Sequence, residues 1–536
     1  MTDRDRAGPS GAAAPTGGGR AGASYDAVPY HSHAIPNTNP DALATMGTLF
    51  GMRPAAVETC RVLEIGCAGA GNLVAMALPL PQARFLGIDA SPRQIEMGRA
   101  LAAETGAGNV ELAAIDLEEF PSNSGEFDYI VCHGVYSWVS PSVQDRILDI
   151  FARHLAPQGI AYLSYNTFPG GHLLLMAREM MRFHVRQIPD PAASIAQARV
   201  LPEFLEAFAY DRQGFYQKFL ESLSKEISES LDSYVFHEYL EEHNSPVYFA
   251  DLLWQCARKG LQYLAPSSFI AWEHNLPDAL KQALDRLSNR IIREQYLDFL
   301  SNRGFRQTLL CRAELPIAQA PRFESVEPLQ ARGRARHVRE NPDVCSETEE
   351  EFFTLTDDRL TTRRPLVKAT LKLLSDARPR AIPVEALPSI LAAPLAGGAD
   401  ASAELSELAR VLLRCHTANL VTLHTWSPSF ADTPGARPLA SPLARLQTAR
   451  GEPAVNLWHE SLDLEDLDRI VLRLLDGTRD RAAIKEALGA AVSDGSVGVE
   501  DSAGKPLEDP GQARRVVASA LEESLERLAK ACLLTA

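Results

Sequence analysis

Two carboxylates that follow apolar runs are the residues of this chain best placed to do chemistry. Glu64 stands near the end of a short apolar run, just before the glycine- and alanine-rich segment 66–72. Eighteen residues beyond Gly71, a second apolar run ends in Asp89. A strand, a tight turn and a helix open an α/β domain that binds nucleotide-like ligands. At the tip of the second strand, Asp89 is placed to accept hydrogen bonds from ribose hydroxyls.

The order of the glycines in this turn argues against a dinucleotide ligand. A pyrophosphate cradle follows the pattern G-x-G-x-x-G. Here Gly66, Gly69 and Gly71 give the order G-x-x-G-x-G, with Glu64 before them. An anion beside a phosphate would repel it, whereas an anion beside the ammonium and sulfonium of S-adenosylmethionine would not. Glu64 and Asp89 therefore suit the charged end and the ribose of S-adenosylmethionine.

Three further apolar runs continue the α/β pattern. They end before Asp116, before His133 and at Tyr165, and they predict a third, fourth and fifth strand. Ligands of such sheets lie outside the carboxyl ends of the strands. The sequence therefore predicts a Rossmann-like α/β sheet whose ligand site gathers the glycine turn, Asp89 and these three residues.

These residues carry a family resemblance. Residues 60–170 resemble the class I S-adenosylmethionine-dependent methyltransferases. The chain as a whole resembles the bacterial methyltransferases with a methyltransferase regulatory domain, a group that contains the rickettsial-type protein-lysine methyltransferases. The segments that carry the resemblance are 24–30, 39–45, 64–72, 87–89, 133–139, 164–170, 236–249 and 305–311. Two positions depart from the family pattern, because Ala70 replaces a usual glycine and Asn39 a frequent histidine.

The resemblance implies S-adenosylmethionine as the cofactor and a protein substrate, with lysine side chains as the methyl acceptors. The predicted cofactor contacts are Tyr30, Glu64, Gly66, Cys67, Ala68, Gly69, Gly71, Asn72, Asp89, Gln94, Asp116, Leu117 and His133. The resemblance also makes a homodimer an expectation, since the family's regulatory region is linked to dimer contacts and to the substrate cleft.

Aromatic and polar residues after the fourth and fifth strands are candidates for the acceptor slot. A lysine amine, with an intrinsic pKa of about 10.4, must lose its proton before it attacks, and a desolvated, aromatic-lined slot lowers that pKa. The candidate catalytic residues are His133, Tyr136, Trp138, Tyr165 and Asn166. His133 is read as a contact or a general base, Tyr136 and Trp138 as slot lining or helix packing, and Asn166 as an orienting group or a plain turn residue.

Composition excludes several other classes of protein. The formal charge of −16 speaks against a nucleic-acid partner, because phosphate binding is largely electrostatic. None of the eight cysteines has C-x-x-C spacing, and His237 and Glu238 belong to no H-E-x-x-H motif, so no metal site is predicted. We expect His237 and Glu238 to be structural or to line the cleft. A reducing cytoplasm fits such cysteine usage. No apolar run approaches the roughly 20 residues that cross a bilayer, so membrane insertion is not expected.

The chain is long enough for roughly three or four domains. The expected parts are a disordered tail at 1–23 that is not a secretory signal, an arm or lid at 24–59 with Tyr25 and Tyr30 as contacts, a cofactor-binding methyltransferase domain at 60–185, an all-helical regulatory and dimerisation region at 186–320, a winged-helix-like module at 321–425, a linker at 426–452, and a C-terminal helical module at 453–536.

Two alternatives stay open. A methyltransferase for a small molecule is favoured by a tight, closed pocket, whereas an open cleft between the α/β unit and the helical region favours a protein acceptor. A regulatory protein that binds the cofactor without turnover is favoured by the mass of the helical domains and by Ala70.

Overall fold

The fold is described from a computed structural model. The described residues are 26–30, 32–210, 214–269, 276–339, 341–395, 401–493 and 509–536. The expected tail at 1–23 and the expected contact Tyr25 lie outside them. Across these ranges, no helix is both long and apolar enough to cross a membrane.

A seven-stranded sheet forms the centre of the molecule. Its strands are β1 Arg61–Ile65, β2 Arg84–Asp89, β3 Val110–Ala114, β4 Phe127–Cys132, β5 Leu155–Asn166, β6 Leu261–Pro266 and β7 Phe305–Arg312. They lie in the order β3-β2-β1-β4-β5-β7-β6, with β1 to β5 parallel and β7 antiparallel to both neighbours. The strand order reverses between β1 and β4, where such sheets bind ligands. The predicted Rossmann-like α/β fold is confirmed.

Helices cover both faces of this sheet. These are α1 Pro40–Leu49, α2 Gly71–Ala77, α3 Pro92–Thr105 and α4 Pro141–His154. The next helix, α5 Gly171–Val185, packs instead against the helical region that follows it. Neighbouring residues of β1 enter different apolar clusters, Val62 on one face and Leu63 on the other. Two helices begin at serine caps, since the side chains of Ser91 and Ser140 accept hydrogen bonds from the first turns of α3 and α4.

The region 186–320 differs from the all-helical expectation. Its helices are α6 Pro191–Phe208, α7 Phe215–Glu229, α8 Asp232–Val235, α9 Phe249–Arg258, α10 Asp278–Asp285 and α11 Arg290–Ser301, with a π-helical turn at Phe236–Leu240. It also contributes β6 and β7, so the expectation was wrong for these strands. The start of β7 is polar, with Arg306, Gln307 and Thr308, and its pairing with the distant β5 rather than its local pattern makes it a strand.

A smaller module occupies residues 321–425. Its strands are β8 Gln330–Gly333, β9 Arg336–His337, β10 Glu350–Phe353, β11 Arg359–Thr362, β12 Ile382–Pro383 and β13 Val421–His424, and its helices are α12 Pro365–Asp376, α13 Leu387–Leu395 and α14 Ala401–Thr417. Strands β12, β8 and β13 form one antiparallel sheet, and β10 pairs with β11 in a hairpin. The module thus combines three helices with small antiparallel sheets.

The last part of the chain begins earlier than expected. Its elements are α15 Pro442–Ala449, β14 Ala454–Val455, β15 Ser461–Leu462, α16 Asp466–Leu474, α17 Arg481–Ser493 and α18 Pro510–Lys530. Helix α15 falls inside the segment 426–452 that was expected to be a linker, and its Leu443 and Ala444 are buried. Pro442 gives this segment a linker-like composition, yet proline is favourable in the first turn of a helix.

A buried ion pair fastens β7 to α11. The side chains of Arg306 and Asp298 are 2% and 0% exposed, and Arg306 Nε lies 2.8 Å from Asp298 Oδ2. The guanidinium also lies over the ring of Phe249, 3.9 Å from its centroid. Removing one partner of such a pair leaves an uncompensated charge in the interior.

We therefore expect Asp298→Ala to destabilise the α/β unit by roughly 3 kcal/mol, because it removes the carboxylate that bonds Arg306 Nε and leaves this buried guanidinium with Glu294 as its remaining ion-pair partner in the described chain. Scanning calorimetry should show a lower melting temperature. The matched control is Asp285→Asn, since its ion pair with Arg293 is exposed and worth about 1 kcal/mol or less. Equal melting temperatures for the two variants would contradict the assigned role of the buried pair.

Candidate active site

The turn between β1 and α2 is built from left-handed backbone. Gly66 has φ +71°, and a Cβ there would lie 2.3 Å from a methyl carbon of Val135. Ala68 and Ala70 also adopt positive φ, at 47° and 58°. This conformation costs a residue with a Cβ roughly 1–2 kcal/mol. Ala70 therefore keeps the turn that glycine usually forms, and the departure from the family pattern leaves the turn intact.

Asp89 fixes this turn to the end of β2. Its Oδ2 accepts a hydrogen bond from Ala68 N at 3.0 Å, and its Oδ1 accepts one from Ser91 N at 2.9 Å. Burial raises the pKa of Asp89, although these backbone donors oppose the shift. Asp89 also lines the cavity at the strand ends. Its contact with ribose stays a prediction that this position supports.

Glu64 is a buried carboxylate with only one oxygen satisfied. The residue is 4% exposed, and its Oε1 accepts a hydrogen bond from Asn72 Nδ2 at 2.7 Å. Among the described residues, its Oε2 is buried and has no hydrogen-bond partner. Burial raises the pKa of Glu64 to about 7, against the lowering effect of Asn72. An unpartnered buried carboxylate oxygen beside a cavity fits a cationic ligand such as S-adenosylmethionine.

One large cavity connects the strand ends with the helical region. Its volume is about 1490 Å³, which exceeds the roughly 300–1,000 Å³ of ordinary small-ligand pockets. The predicted residues that line it are Tyr30, Glu64, Gly66, Cys67, Ala68, Asn72, Asp89, Asp116, Leu117, His133, Trp138 and Asn166. The structure therefore brings most of the predicted cofactor contacts and three of the five predicted catalytic residues to one surface.

Three predicted cofactor contacts lie behind that surface. They are Gly69, Gly71 and Gln94, which are absent from the described lining of the cavity. Gly71 N donates a hydrogen bond to Ser32 Oγ at 2.7 Å, and a Cβ on Gly71 would lie 2.4 Å from the Ser32 carbonyl oxygen. Gln94 Nε2 donates to the Tyr30 carbonyl oxygen at 3.5 Å. Gly71 and Gln94 thus hold the N-terminal arm over the turn.

Tyr136 and Tyr165 are core residues, which corrects their assignment to the acceptor slot. They are 0% and 1% exposed and do not line the cavity. Their rings meet edge to face at 6.3 Å, and Tyr165 OH is hydrogen-bonded to Thr308 Oγ1 at 2.9 Å. Successive strand residues point to opposite faces, so Tyr165 enters the core on one face of the sheet while Asn166 reaches the cavity.

The remaining catalytic candidates line the cavity. His133 Nδ1 lies 2.9 Å from Tyr162 OH, and burial lowers the pKa of His133 to about 4. Such an imidazole is neutral and holds a proton weakly, so the structure favours the contact role over the general base. Asn166 has a buried Nδ2 without a partner in the described chain, and the Trp138 ring lies 5.1 Å from the Arg178 guanidinium carbon.

Several cavity residues come from the helical region and were not predicted as site residues. Glu226 is on α7, Tyr234 on α8, and Tyr239 in the π-helical turn. His237 and Glu238, expected to be structural or cleft-lining, also line the cavity. The cluster of acids in the segment 236–249 was the available signal, but the sequence alone did not show that this segment faces the strand ends.

Comparison with protein families agrees with this architecture. Residues 62–159 match the methyltransferase domain, residues 231–312 the predicted methyltransferase regulatory domain, and residues 436–533 the C-terminal winged helix domain named for PKMT. The winged-helix match covers α15 to α18, where a linker and a helical module were expected. The fold and the site thus define a class I S-adenosylmethionine-dependent methyltransferase.

Three relatives narrow this class, two of which match nearly the whole chain. Uncharacterized protein RP789 of Rickettsia prowazekii is 30% identical over 525 residues, which cover 95% of this chain and 93% of the relative. Uncharacterized protein RP028 of the same organism is 40% identical over 241 residues, or 45% of this chain. The structure of PKMT2 from Rickettsia typhi in complex with AdoHcy matches with a TM-score of 0.84 and 30% identity, covering 95% of this chain and all of PKMT2. The chain belongs to the same family as PKMT2 and RP789, and it carries the methyltransferase domain and the methyltransferase regulatory domain.

The pKa of Glu64 gives a test of the cofactor site. Only the ionised carboxylate attracts a cation, so we expect the affinity for S-adenosylmethionine to fall by about tenfold between pH 8 and pH 6, as Glu64 gains a proton below its pKa of about 7. Calorimetric titrations across this range measure the dissociation constant. Glu64→Gln should bind more weakly at pH 8 and lose most of the pH dependence, whereas an unchanged profile in this variant would exclude Glu64 as its source.

Proposed function

We propose that this protein transfers methyl groups from S-adenosylmethionine to lysine side chains of a protein substrate. The charge of the cavity is the observation that carries the proposal. The acidic residues that line it are Glu64, Asp89, Asp116, Glu118, Glu226, Glu238, Glu241 and Glu242. No lysine or arginine stands among the described lining residues. A cavity lined by one sign of charge concentrates ligands of the opposite sign, and both the sulfonium cofactor and a lysine ammonium are cations.

The half of the cavity formed by the helical region combines acids with aromatic rings. Tyr239 OH donates a hydrogen bond to Glu226 Oε1 at 2.8 Å, and Tyr234 OH donates to the same oxygen at 3.3 Å. The aromatic rings of Trp138 and Phe219 also line the cavity. Aromatic faces attract ammonium groups and their methylated forms. This half therefore suits an alkylammonium side chain.

Glu238 is the carboxylate best suited to receive the ammonium. It is half-buried, and its side chain makes no hydrogen bond to any residue that the structure describes. Burial raises its pKa to about 7, although Arg178 lowers it. Arg178 donates a hydrogen bond to the backbone carbonyl of Glu238, not to its carboxylate, and so fixes the turn that presents the side chain.

The residues of the chain need only position the acceptor and adjust its protonation. The cofactor supplies an activated methyl group when it is bound. A lysine ammonium at Glu238 loses its proton through this carboxylate to solvent. The neutral nitrogen then attacks the methyl carbon in line as the carbon–sulfur bond breaks, which leaves a methylated ammonium and a neutral thioether. Holding both reactants in such a geometry supplies much of the rate enhancement.

The relatives support the same reading. PKMT, the abbreviation used for protein-lysine methyltransferases, names both the matched winged helix domain and the Rickettsia typhi protein. That structure contains AdoHcy, the product that remains of the cofactor after methyl transfer. The size of the cavity, about 1490 Å³, also favours a segment of protein chain over a small metabolite in a closed pocket.

Methyl transfer to protein is tested directly with a labelled methyl group. The purified protein is incubated with methyl-labelled S-adenosylmethionine and a bacterial lysate, which is then separated into protein and small molecules. We expect label in a protein band that survives base, because methyl esters are cleaved by base and methyl-lysine is not. Mass spectrometry of the band should find methyl-lysine, and label confined to small molecules would contradict the proposal.

The role of Glu238 gives a more specific prediction. Glu238→Gln should lower kcat/KM for the labelled protein by about tenfold or more, because it removes one charge-assisted contact worth roughly 1.5–3 kcal/mol. Its dissociation constant for S-adenosylmethionine should stay within about twofold of the unsubstituted protein.

Glu229→Gln is the matched control, since Glu229 is an exposed acid at the end of α7 that does not line the cavity. It should leave both constants unchanged. A Glu238→Gln variant with normal turnover would exclude Glu238 from acceptor binding, while the labelling experiment would still report whether lysine is methylated.

A further inference from the structure

The hairpin β14–β15 of the C-terminal winged helix domain reaches into the α/β unit. Its tip, residues 456–460, is held by Asn456, whose Oδ1 accepts hydrogen bonds from Trp458 N at 2.9 Å and Glu460 N at 3.0 Å. Arg332, on β8, forms an ion pair with Glu460. The tip is therefore a fixed structure with anchors on both sides of the domain boundary.

His459 is the residue that this tip places deepest. It is 1% exposed and has φ +64°, in the left-handed region that a residue with a Cβ seldom adopts. Such a conformation persists only where the surroundings enforce it, and it often marks a functional position. Its Nε2 lies 2.9 Å from Asn72 Oδ1, although 387 residues separate the two in sequence.

Asn72 connects His459 to the acid of the cofactor site. Its Nδ2 donates hydrogen bonds to Glu64 Oε1 at 2.7 Å and to Thr38 Oγ1 at 3.0 Å. Its Oδ1 accepts a hydrogen bond from Ile35 N at 2.8 Å. Because a backbone N–H only donates, this contact fixes which end of the amide is the oxygen. His459 must then donate through Nε2.

The chemistry of the imidazole agrees with this assignment. Burial lowers the pKa of His459 to about 4, so the ring is neutral at physiological pH and carries one proton. That proton lies on Nε2, in the hydrogen bond to Asn72 Oδ1. A neutral donor holds Asn72 in place without adding a positive charge that would compete with the cofactor for Glu64.

We propose that His459 is a positioning residue of the cofactor site, through which docking of the winged helix domain and binding of S-adenosylmethionine are coupled. His459 keeps the Asn72 amide oriented, and Asn72 keeps the Glu64 carboxylate turned toward the cavity. The inference rests on the use of the cofactor and is independent of lysine as the acceptor. Coupling between two sites is reciprocal, so bound cofactor also stabilises the docked hairpin.

Substitution of His459 in the full chain tests the coupling. His459→Leu should weaken binding of S-adenosylmethionine about fivefold or more, the usual effect of losing one buried hydrogen bond. It should also move the midpoint of the pH dependence of binding upward from about pH 7, because the bond from Asn72 lowers the pKa of Glu64. A purely structural role would not move this midpoint. His459→Gln keeps a donor at a similar reach and should restore most of the affinity.

Glu486→Gln is the control, since Glu486 is an exposed residue on α17 of the same domain. It should leave the affinity and the midpoint unchanged. An unmoved midpoint in a folded His459→Leu variant, together with unchanged affinity, overturns the proposal.

Hydrogen exchange of the unsubstituted protein tests the reciprocal effect and needs no variant. Saturating S-adenosylmethionine should slow amide exchange at residues 456–460 severalfold, because the cofactor stabilises the docked hairpin. Exchange in α17, away from the contact, serves as the internal reference. Equal exchange at 456–460 with and without cofactor overturns the coupling, including in the case where His459→Leu fails to fold.

Discussion

The half-satisfied carboxylate of Glu64 is the constraint on which the rest of the site depends. A buried charge is stable only with partners, and here one oxygen is bonded by Asn72 while the other is left toward the cavity. Asn72 in turn joins three distant parts of the chain, because Ile35 of the arm and His459 of the winged helix domain bond the same oxygen. The cofactor site is therefore assembled by the whole molecule and not by the α/β unit alone.

The distribution of charge gives the cavity its chemistry. Acids of the strand ends and acids of the helical region line the same cavity, and this excess of negative charge favours cations such as a sulfonium or an ammonium. Two acids, Glu64 and Glu238, have a pKa raised to about 7 by burial. Glu64 lies at the strand ends and Glu238 in the helical region, and in the function that we propose they serve the cofactor and the acceptor, respectively.

Local patterns predicted the first five strands well because each contains a short apolar run. In β1 and β4 this run is buried on both faces of the sheet, whereas β3 at the sheet edge is more exposed. The same patterns failed for β6 and β7. The start of β7 is polar, and β6 is a short apolar run between helices, so both are strands because of their pairing in the sheet. Tyr136 and Tyr165 were misplaced for a related reason. Both are aromatic and follow the ends of strands, which fits the predicted acceptor slot. Packing decides to which side of the strand or turn a ring projects, and here both rings enter the core.

The sequence by itself determined the cofactor half of the site. Glu64, the glycine turn and Asp89 are close along consecutive elements, and their residue types already specify a cation and a ribose. Only the tertiary structure decided the acceptor half and the contact from His459. These depend on hydrogen bonds and packing between segments up to 387 residues apart, and no local propensity records which distant segments meet.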